Sequence, residues 1–357
     1  MTSYYSSELK EPTQEACKIN KIKIYRNLPF NGYEETLIQK ILGKYIFKRC
    51  DILGKGSFST VYLGRTLSDP FKKVAIKEIN IQSNEKAILQ EIYLTKLTKN
   101  ENVIAFYDSY INHKEGKCYI ILEYCNKGAL DRLKTKHANK NIEQIYFYFK
   151  QIISGMKALY NNKIVHRDLK LANILLNNES VKISDFGLSK NLGHQKSLKG
   201  SKCGTPSTMA PEVYLTSENL VNYTNKCDIW ALGIMLHELV YCTHPFGLNR
   251  EKMAKNERVI IYENHEMAED FINRALKLNP RNRIGWEEIF NHPLNFLKND
   301  GEFVRWRNGE LIFKEIEIDR WNEESLLNLV EIMGDHLLQK INVIIKKFRN
   351  RFLKVLK

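Results

Sequence analysis

The chain has 357 residues, 43% hydrophobic and 27% charged, which suits a soluble globular protein with one large domain plus extensions. No apolar run approaches a membrane span, Met1 to Lys10 carries no signal-peptide core, and the seven scattered cysteines form no C-x-x-C pair. A membrane-spanning, secreted or zinc-finger protein is therefore not expected, and reduced thiols in a cytoplasmic protein are. The net charge of +14 suits nucleic acid, anionic lipid or acidic partners, or simply reflects a lysine- and asparagine-rich composition.

Residues 1–44 mix polar and aromatic side chains without periodicity and read as a partly disordered extension. A folded core is expected from Tyr45, with short β-type runs over Phe47 to Gly54, Thr60 to Arg65 and Lys73 to Ile79. A helix follows over Glu85 to Leu97, then two strands over Val103 to Tyr110 and Lys117 to Tyr124, completing a small antiparallel sheet. After Gly128 the pattern turns helical. Ile142, Ile145, Phe149, Ile152, Ile153, Met156 and Leu159 form one apolar stripe, and Ile229 to Tyr241 is apolar almost all round, hence buried.

Chemistry-bearing residues fall between these elements. Leu53-Gly54-Lys55-Gly56-Ser57-Phe58-Ser59-Thr60-Val61 joins two predicted strands, and glycines 54 and 56 let backbone N–H groups approach phosphates. Taken alone this is as well read as a glycine hairpin turn. Val74-Ala75-Ile76-Lys77 lies on the next strand and Glu91 on the helix after it. Ile164 to Asn173 packs a carboxylate (Asp168), an ammonium (Lys170) and an amide (Asn173) into one loop, and Asp185-Phe186-Gly187 follows.

In this order the motifs resemble those of a eukaryotic protein kinase domain over residues about 45–297. The resemblance implies an α+β, two-lobed fold. A small antiparallel β-rich N-lobe with one helix, αC, would span 45–124, and a larger, mainly helical C-lobe 125–297. It implies ATP and Mg2+ as cofactors, with Lys77 on the α- and β-phosphates, Glu91 anchoring Lys77, and Asn173 and Asp185 holding the metal. Asp168 would orient and accept the proton of an attacking hydroxyl, Lys170 would neutralise the phosphoryl group in flight, and Thr205 would contact both. Leu53, Gly54, Gly56 and Ser59, the last in the family's third glycine position, would cover the nucleotide. Val61, Ala75 and Leu175 would sandwich the adenine, Leu122 would stand behind it, and the backbone of Glu123 and Cys125 would bond its edge. His166 and Phe186, with Thr95 and Phe106, would form an apolar spine. Thr95 departs from the usual aliphatic residue, and its hydroxyl would weaken the anchorage of the helix. Glu212 would pair with Arg283, and Asp228 would brace the catalytic loop. Thr208 replaces a common tyrosine.

Lys170 to Asn173 and Gly204-Thr205-Pro206 resemble serine/threonine kinases, and Leu188 is of the serine-preferring type. Ala129 and Ala172 stand where arginine-directed kinases carry carboxylates, so upstream arginine is not expected to matter. Arg167 before Asp168 marks kinases switched on by phosphorylation; Ser201, with Ser197 as second choice, is the expected acceptor of an upstream activating kinase. The glycine loop, hinge and Asp-Phe-Gly segment resemble Unc-51-like, autophagy-initiating kinases, with calcium/calmodulin-type or Nek-like kinases as alternatives. A pseudokinase scaffold is the rival class, and intact Lys77, Glu91, Asp168, Asn173 and Asp185 argue against it. Residues 298–357 form a second extension ending in a basic amphipathic helix, with Leu337, Ile341, Ile344, Ile345, Phe348 and Phe352 at helical spacing among lysines and arginines. It would bind anionic membrane or a calmodulin-like protein, or dock on the kinase domain. Protein substrates are expected; nucleic acid is not, because aromatic and basic residues are not interleaved for base stacking.

Overall fold

In the computed structural model, residues 39–292 and 294 are described, apart from 57–58, 82–84, 136–141, 194, 196, 218–219, 248 and 256–264. Backbone is also described for 304–307 and 310–313. Period-two patterning folds the first part into an antiparallel sheet ordered β1-β2-β3-β4-β6-β5. Its strands are β1 (Gln39–Leu42), β2 (Tyr45–Lys55), β3 (Ser59–Thr66), β4 (Lys73–Asn80), β5 (Phe106–Asn112) and β6 (Lys117–Glu123), with α1 (Glu85–Leu97) after β4. The expected strands and helix form, with two differences. The sheet begins at Gln39 rather than Tyr45, because β1 adds an edge strand to β2. The strand expected from Val103 starts at Phe106, because the backbone before it is bonded to the C-lobe: Ile104 N–H donates to Ile183 O and Ile183 N–H to Asn102 O, both 2.9 Å.

Register assigns the two faces of the sheet. Ser59 opposite Ile79, Val61 opposite Lys77 and Leu63 opposite Ala75 share one face; Thr60 opposite Glu78, Tyr62 opposite Ile76 and Gly64 opposite Val74 share the other. The first face meets α1 through Ile79, Ile88, Ile92, Cys118 and Ile120. The second closes over its own core of Leu42, Tyr45, Phe47, Tyr62, Val74, Ile76, Tyr119 and Ile121. The curl is tight enough for Lys40 of β1 to donate to the Tyr119 hydroxyl at 2.6 Å.

The larger lobe is helical, built on α2 (Ile142–Asn161) and α4 (Lys226–Tyr241). Ile229, Trp230, Leu232, Ile234, Met235 and Leu236 of α4 are fully buried, as an all-round apolar helix requires. Around these lie β7 (Gly128–Ala129), β8 (Ile164–Val165), β9 (Ile174–Asn177), β10 (Ser180–Ile183), β11 (Lys190–Asn191), β12 (Leu198–Ser201), α3 (Pro211–Tyr214) and β13 (Leu220–Tyr223). Then come α5 (Arg250–Lys255), α6 (Glu266–Ala275), α7 (Trp286–Phe290) and a hairpin of β14 (Val304–Arg307) and β15 (Glu310–Phe313) that the sequence reading did not anticipate. β12 pairs with β13, so part of the segment after Asp-Phe-Gly is a strand. The expected N-terminal extension up to residue 38 and the expected basic helix lie outside the described residues.

Candidate active site

The cleft between the lobes collects the charged groups singled out above. Lys77 lies on the cleft face of β4 and Glu91 on the inner side of α1. Lys77 Nζ is 2.5 Å from Glu91 Oε1 and 2.8 Å from Asp185 Oδ1. Burial disfavours the ammonium, but the two carboxylates outweigh it and raise the Lys77 pKa. Burial likewise opposes ionisation of Asp185, yet the adjacent Lys77 holds its carboxyl below the usual range, helped by His166 and the Gly187 N–H. Asp185 sits in left-handed backbone at φ 66°, and its side chain remains 46% exposed toward the cleft.

The catalytic loop hangs from α4. Asp228, buried there, accepts the backbone N–H groups of His166 at 2.8 Å and Arg167 at 2.9 Å. Burial pushes its carboxyl pKa up, against those donors. His166 is fully buried; Asp168 N–H reaches its Nδ1 at 3.4 Å, so Nε2 is the nitrogen that donates to Ser184 O at 3.0 Å. The His166 ring lies 5.5 Å from Phe186, which is the contact expected of the spine. Thr95 is buried, and its hydroxyl donates to Glu91 O at 2.7 Å inside the helix. The hydroxyl expected to weaken this contact is thus hydrogen-bonded at its own turn.

Asp168, Lys170, Asn173 and Thr205 meet at one point. Asp168 Oδ1 accepts the Thr205 N–H at 2.8 Å and its hydroxyl at 2.6 Å. Lys170 Nζ is 2.9 Å from Asp168 Oδ2 and 2.7 Å from Thr205 Oγ1. Asn173 Nδ2 donates to Asp168 O at 2.8 Å, which leaves the amide oxygen for a cation. Gly204 makes this meeting sterically feasible. At φ 113° it passes so near the catalytic loop that a Cβ there would lie 2.6 Å from Arg167 O. Glu212 and Arg283 form a two-pronged pair at 2.8 and 2.5 Å, with the guanidinium buried.

The residues expected to face a nucleotide line the same cleft. Val61 and Ala75 share the cleft face, Gly54 lies opposite Val61 in register, and a Cβ on Gly54 would meet nothing within 4 Å, so room lies beneath the loop. Gly56 N–H donates to Ser59 O at 2.8 Å, closing the turn; Leu53 precedes it, 41% exposed. On the floor Leu175 of β9 lies beside Ala129 of β7, and partly buried Leu122 and Cys125 pack against the C-lobe core. Burial pushes the Cys125 thiol up to about 12, so it is a neutral wall. Two oxygen ligands, the Asn173 amide and the Asp185 carboxylate, match the hard-donor preference of Mg2+, and the cations Lys77 and Lys170 match a polyphosphate. These residues fit the nucleotide and the metal.

Sequence reasoning missed what fastens the hinge. Glu123 Oε1 accepts from Asn177 Nδ2 and Lys182 Nζ, each at 3.0 Å, while Oε2 accepts the Ala105 N–H at 3.2 Å. One carboxylate thus ties the hinge to both lobes. No local pattern marks Asn177 or Lys182, because their partner is remote in sequence. Also missed was the seat of Arg167: its Nε donates to Leu188 O at 2.6 Å and its guanidinium lies 4.6 Å over the Tyr223 ring. A Cβ on Gly200 would be 3.0 Å from Arg167 Nη1, so this cation faces the strand that carries Ser201. Burial, then the nearby Arg167, lowers the Lys190 pKa. Neither cation has an ion-pair partner among the described residues. Ser201 and Ser197 are exposed.

Comparison with known proteins agrees with this geometry. The family described as "Protein kinase domain" matches residues 47–295. A protein of Acanthamoeba polyphaga mimivirus described as "Putative serine/threonine-protein kinase R517/R518" is 30% identical over 281 residues, covering 68% of this chain and 61% of its own length. Serine/threonine-protein kinase ULK1 of Homo sapiens is 30% identical over 293 residues, covering 74% of this chain and 26% of its own. Serine/threonine-protein kinase Nek5 of Homo sapiens is 31% identical over 267 residues, covering 69% and 36%. The chain therefore spans less than two thirds of the length of these relatives.

Proposed function

The chain belongs to the protein kinase family, and from that premise we propose that it is an active ATP-dependent serine/threonine kinase acting on protein hydroxyls. One observation carries the reading: Lys77 bonds Glu91 and Asp185 at once, joining sheet, helix and Asp-Phe-Gly turn around an open cleft. A pseudokinase has no need of that closed set.

When bound, ATP with Mg2+ supplies the γ-phosphoryl group and offsets its negative charge. This chain's residues do the rest. Lys77 steadies the α- and β-phosphates, while Asn173 and Asp185 present oxygens to the metal. Asp168 Oδ2 faces Lys170 and takes the hydrogen bond, then the proton, of the arriving hydroxyl. Lys170 sits where charge builds on the transferring group, already held by Thr205. The backbone of Glu123 and Cys125 receives the adenine edge.

The test labels a peptide library with ATP and magnesium, using wild type beside Asp168→Asn. Loss of a general base typically costs ~10²–10⁴-fold, so incorporation by the variant should collapse while its folding survives. Equal labelling by both forms would sink the reading. The same array reads acceptor and flanks: serine is expected over threonine from Leu188, with little gain from upstream arginine because Ala129 and Ala172 bring no carboxylate.

Within serine/threonine kinases the loop and hinge motifs favour an Unc-51-like role in initiating autophagy. ULK1 and Nek5 match at nearly equal identity, so the Nek-like alternative stands beside it. For regulation, phosphate on Ser201, placed by an upstream kinase, would meet Arg167 and Lys190, two cations that lack a carboxylate partner among the described residues. Ser201→Ala is expected to lower activity several-fold in enzyme isolated from cells; full activity there would point to Ser197 or to no phosphorylation.

A further inference from the structure

The turn between β3 and β4 is built to hold apolar side chains in water. Phe71 is 91% exposed and Leu67 49% exposed. The turn is nevertheless rigid. Phe71 N–H donates to Asp69 Oδ1 at 2.9 Å, the Thr66 hydroxyl donates to Asp69 O at 2.9 Å, and Thr66 N–H donates to Lys72 O at 3.2 Å. Leu67 N–H is tied to Lys44 O at 2.8 Å, so the β1–β2 turn braces the tip. A single exposed apolar residue needs no explanation. Two of them on a fixed convex tip are costly to keep in water unless something receives them.

The surrounding charge points to the receiver. Lys44, Arg65, Lys72 and Lys73 are all exposed, and none forms an ion pair among the described residues. Asp69 is the one acidic residue between Lys44 and Lys77 other than Asp51, and the tip's own backbone occupies its carboxylate. We propose that the β3–β4 tip docks on an anionic phospholipid bilayer, with Phe71 and Leu67 entering the interfacial layer and the four cations at phosphate level. A protein partner fits less well, because a convex tip with two apolar side chains offers far less than the roughly 800 Å² a stable protein interface buries on each side. A bilayer accepts small convex wedges and rewards the cations around them. Geometry keeps the enzyme working there. The tip lies at the hinge end of the sheet, since Val74 pairs with Glu123. The glycine turn lies at the other end of β3, about 25 Å away at ~3.3 Å per residue.

The test is co-sedimentation of the full chain with phosphatidylserine-containing vesicles, beside Phe71→Ser and a Lys72→Glu/Lys73→Glu double variant. Phosphorylation of a soluble peptide serves as the control for folding, so failure here is separable from failure of the kinase reading. Vesicle affinity is expected to fall about tenfold for Phe71→Ser and at least as much for the charge reversal, given about fivefold per cation. Phe71→Trp should shift its emission to the blue on these vesicles and be quenched by brominated acyl chains; pure phosphatidylcholine should do neither. The chain already holds four tryptophans, so the readout is the Phe71→Trp spectrum minus that of wild type on the same vesicles, a difference that reports the tip whatever else binds lipid. No wild-type binding, equal binding by all variants, or an unmoved Phe71→Trp emission would each overturn the proposal.

Discussion

The catalytic loop, residues 164–173, and the activation segment, residues 185–212, touch, yet they are held by different means. The catalytic loop hangs on groups shut away from water: Asp228 on buried α4, the fully buried His166, and Asn173 reaching back to Asp168 O. Residues 198–203 of the activation segment lie nearer water: Ser201 and Lys202 are exposed, although the Tyr223 ring that holds them is buried. Strand β12 pairs with β13, the Tyr223 hydroxyl donates to Ser201 O at 2.9 Å and accepts the Cys203 N–H at 2.9 Å, and Lys202 Nζ donates to the carbonyl of Tyr214 at 2.7 Å. A hydrogen bond lost in the interior leaves a desolvated partner, whereas one lost at the surface is replaced by water. The geometry of the catalytic loop is therefore part of the fold, and the docking of residues 198–203 is separable from it.

Three substitutions grade that contrast. The largest effect is expected where the segment's far end enters the core. Arg283→Ala leaves Glu212 without its partner and strips donors from the carbonyls of Lys277, Leu278 and Lys226. Breaking such a buried pair costs ~3–5 kcal/mol, readable by urea unfolding; a loss under 1 kcal/mol would show that this anchor belongs with the surface set.

The pair in the cleft should come next. Asp185 has a depressed pKa, so its stabilisation is present above the unfolded carboxyl value near ~3.9 and is lost as pH falls through the lower folded value. Lys77→Met removes the depressing cation and leaves burial, which acts upward. Acid unfolding followed by circular dichroism should then begin at higher pH than in wild type; superimposed curves would deny the pair a role in stability. The smallest effect is expected where the bonded partners, the backbone of Ser201 and Cys203, lie within reach of water. Tyr223→Phe removes the hydroxyl bridge alone and should cost ~0.5–1.5 kcal/mol of segment docking, seen as faster amide exchange at residues 198–203 with the catalytic loop unchanged. Equal change in both regions would erase the distinction.

How much of this was legible in the sequence differs from site to site for physical reasons. Asp168, Lys170 and Asn173 are brought together by one short loop, so their meeting was legible from spacing, while the roles expected of them come from the family resemblance. Helix α1 was legible with its bounds, because Ile88, Ile92 and Leu94 recur at helical spacing while Glu91 lies on the same side. β1 was not, since Gln39–Leu42 is a short edge strand whose only mark is its partner β2. The start of β5 moved for a similar reason: Val103 and Ile104 look like strand residues, but Val103 bridges to Ile183 through the bonds of its neighbours, Ile104 N–H to Ile183 O and Ile183 N–H to Asn102 O.

The sequence by itself determined the order of the elements and the identity of the charged groups, because both follow from local periodicity and short-range spacing. Only the tertiary structure decided what fastens them: Glu123 to Asn177 and Lys182, Arg167 to the Tyr223 ring, and Phe71 to a rigid exposed tip. Those arrangements depend on which remote side chain or backbone group arrives within about 3–5 Å and on how much water is left around it. Neither quantity is written in any local stretch of the chain.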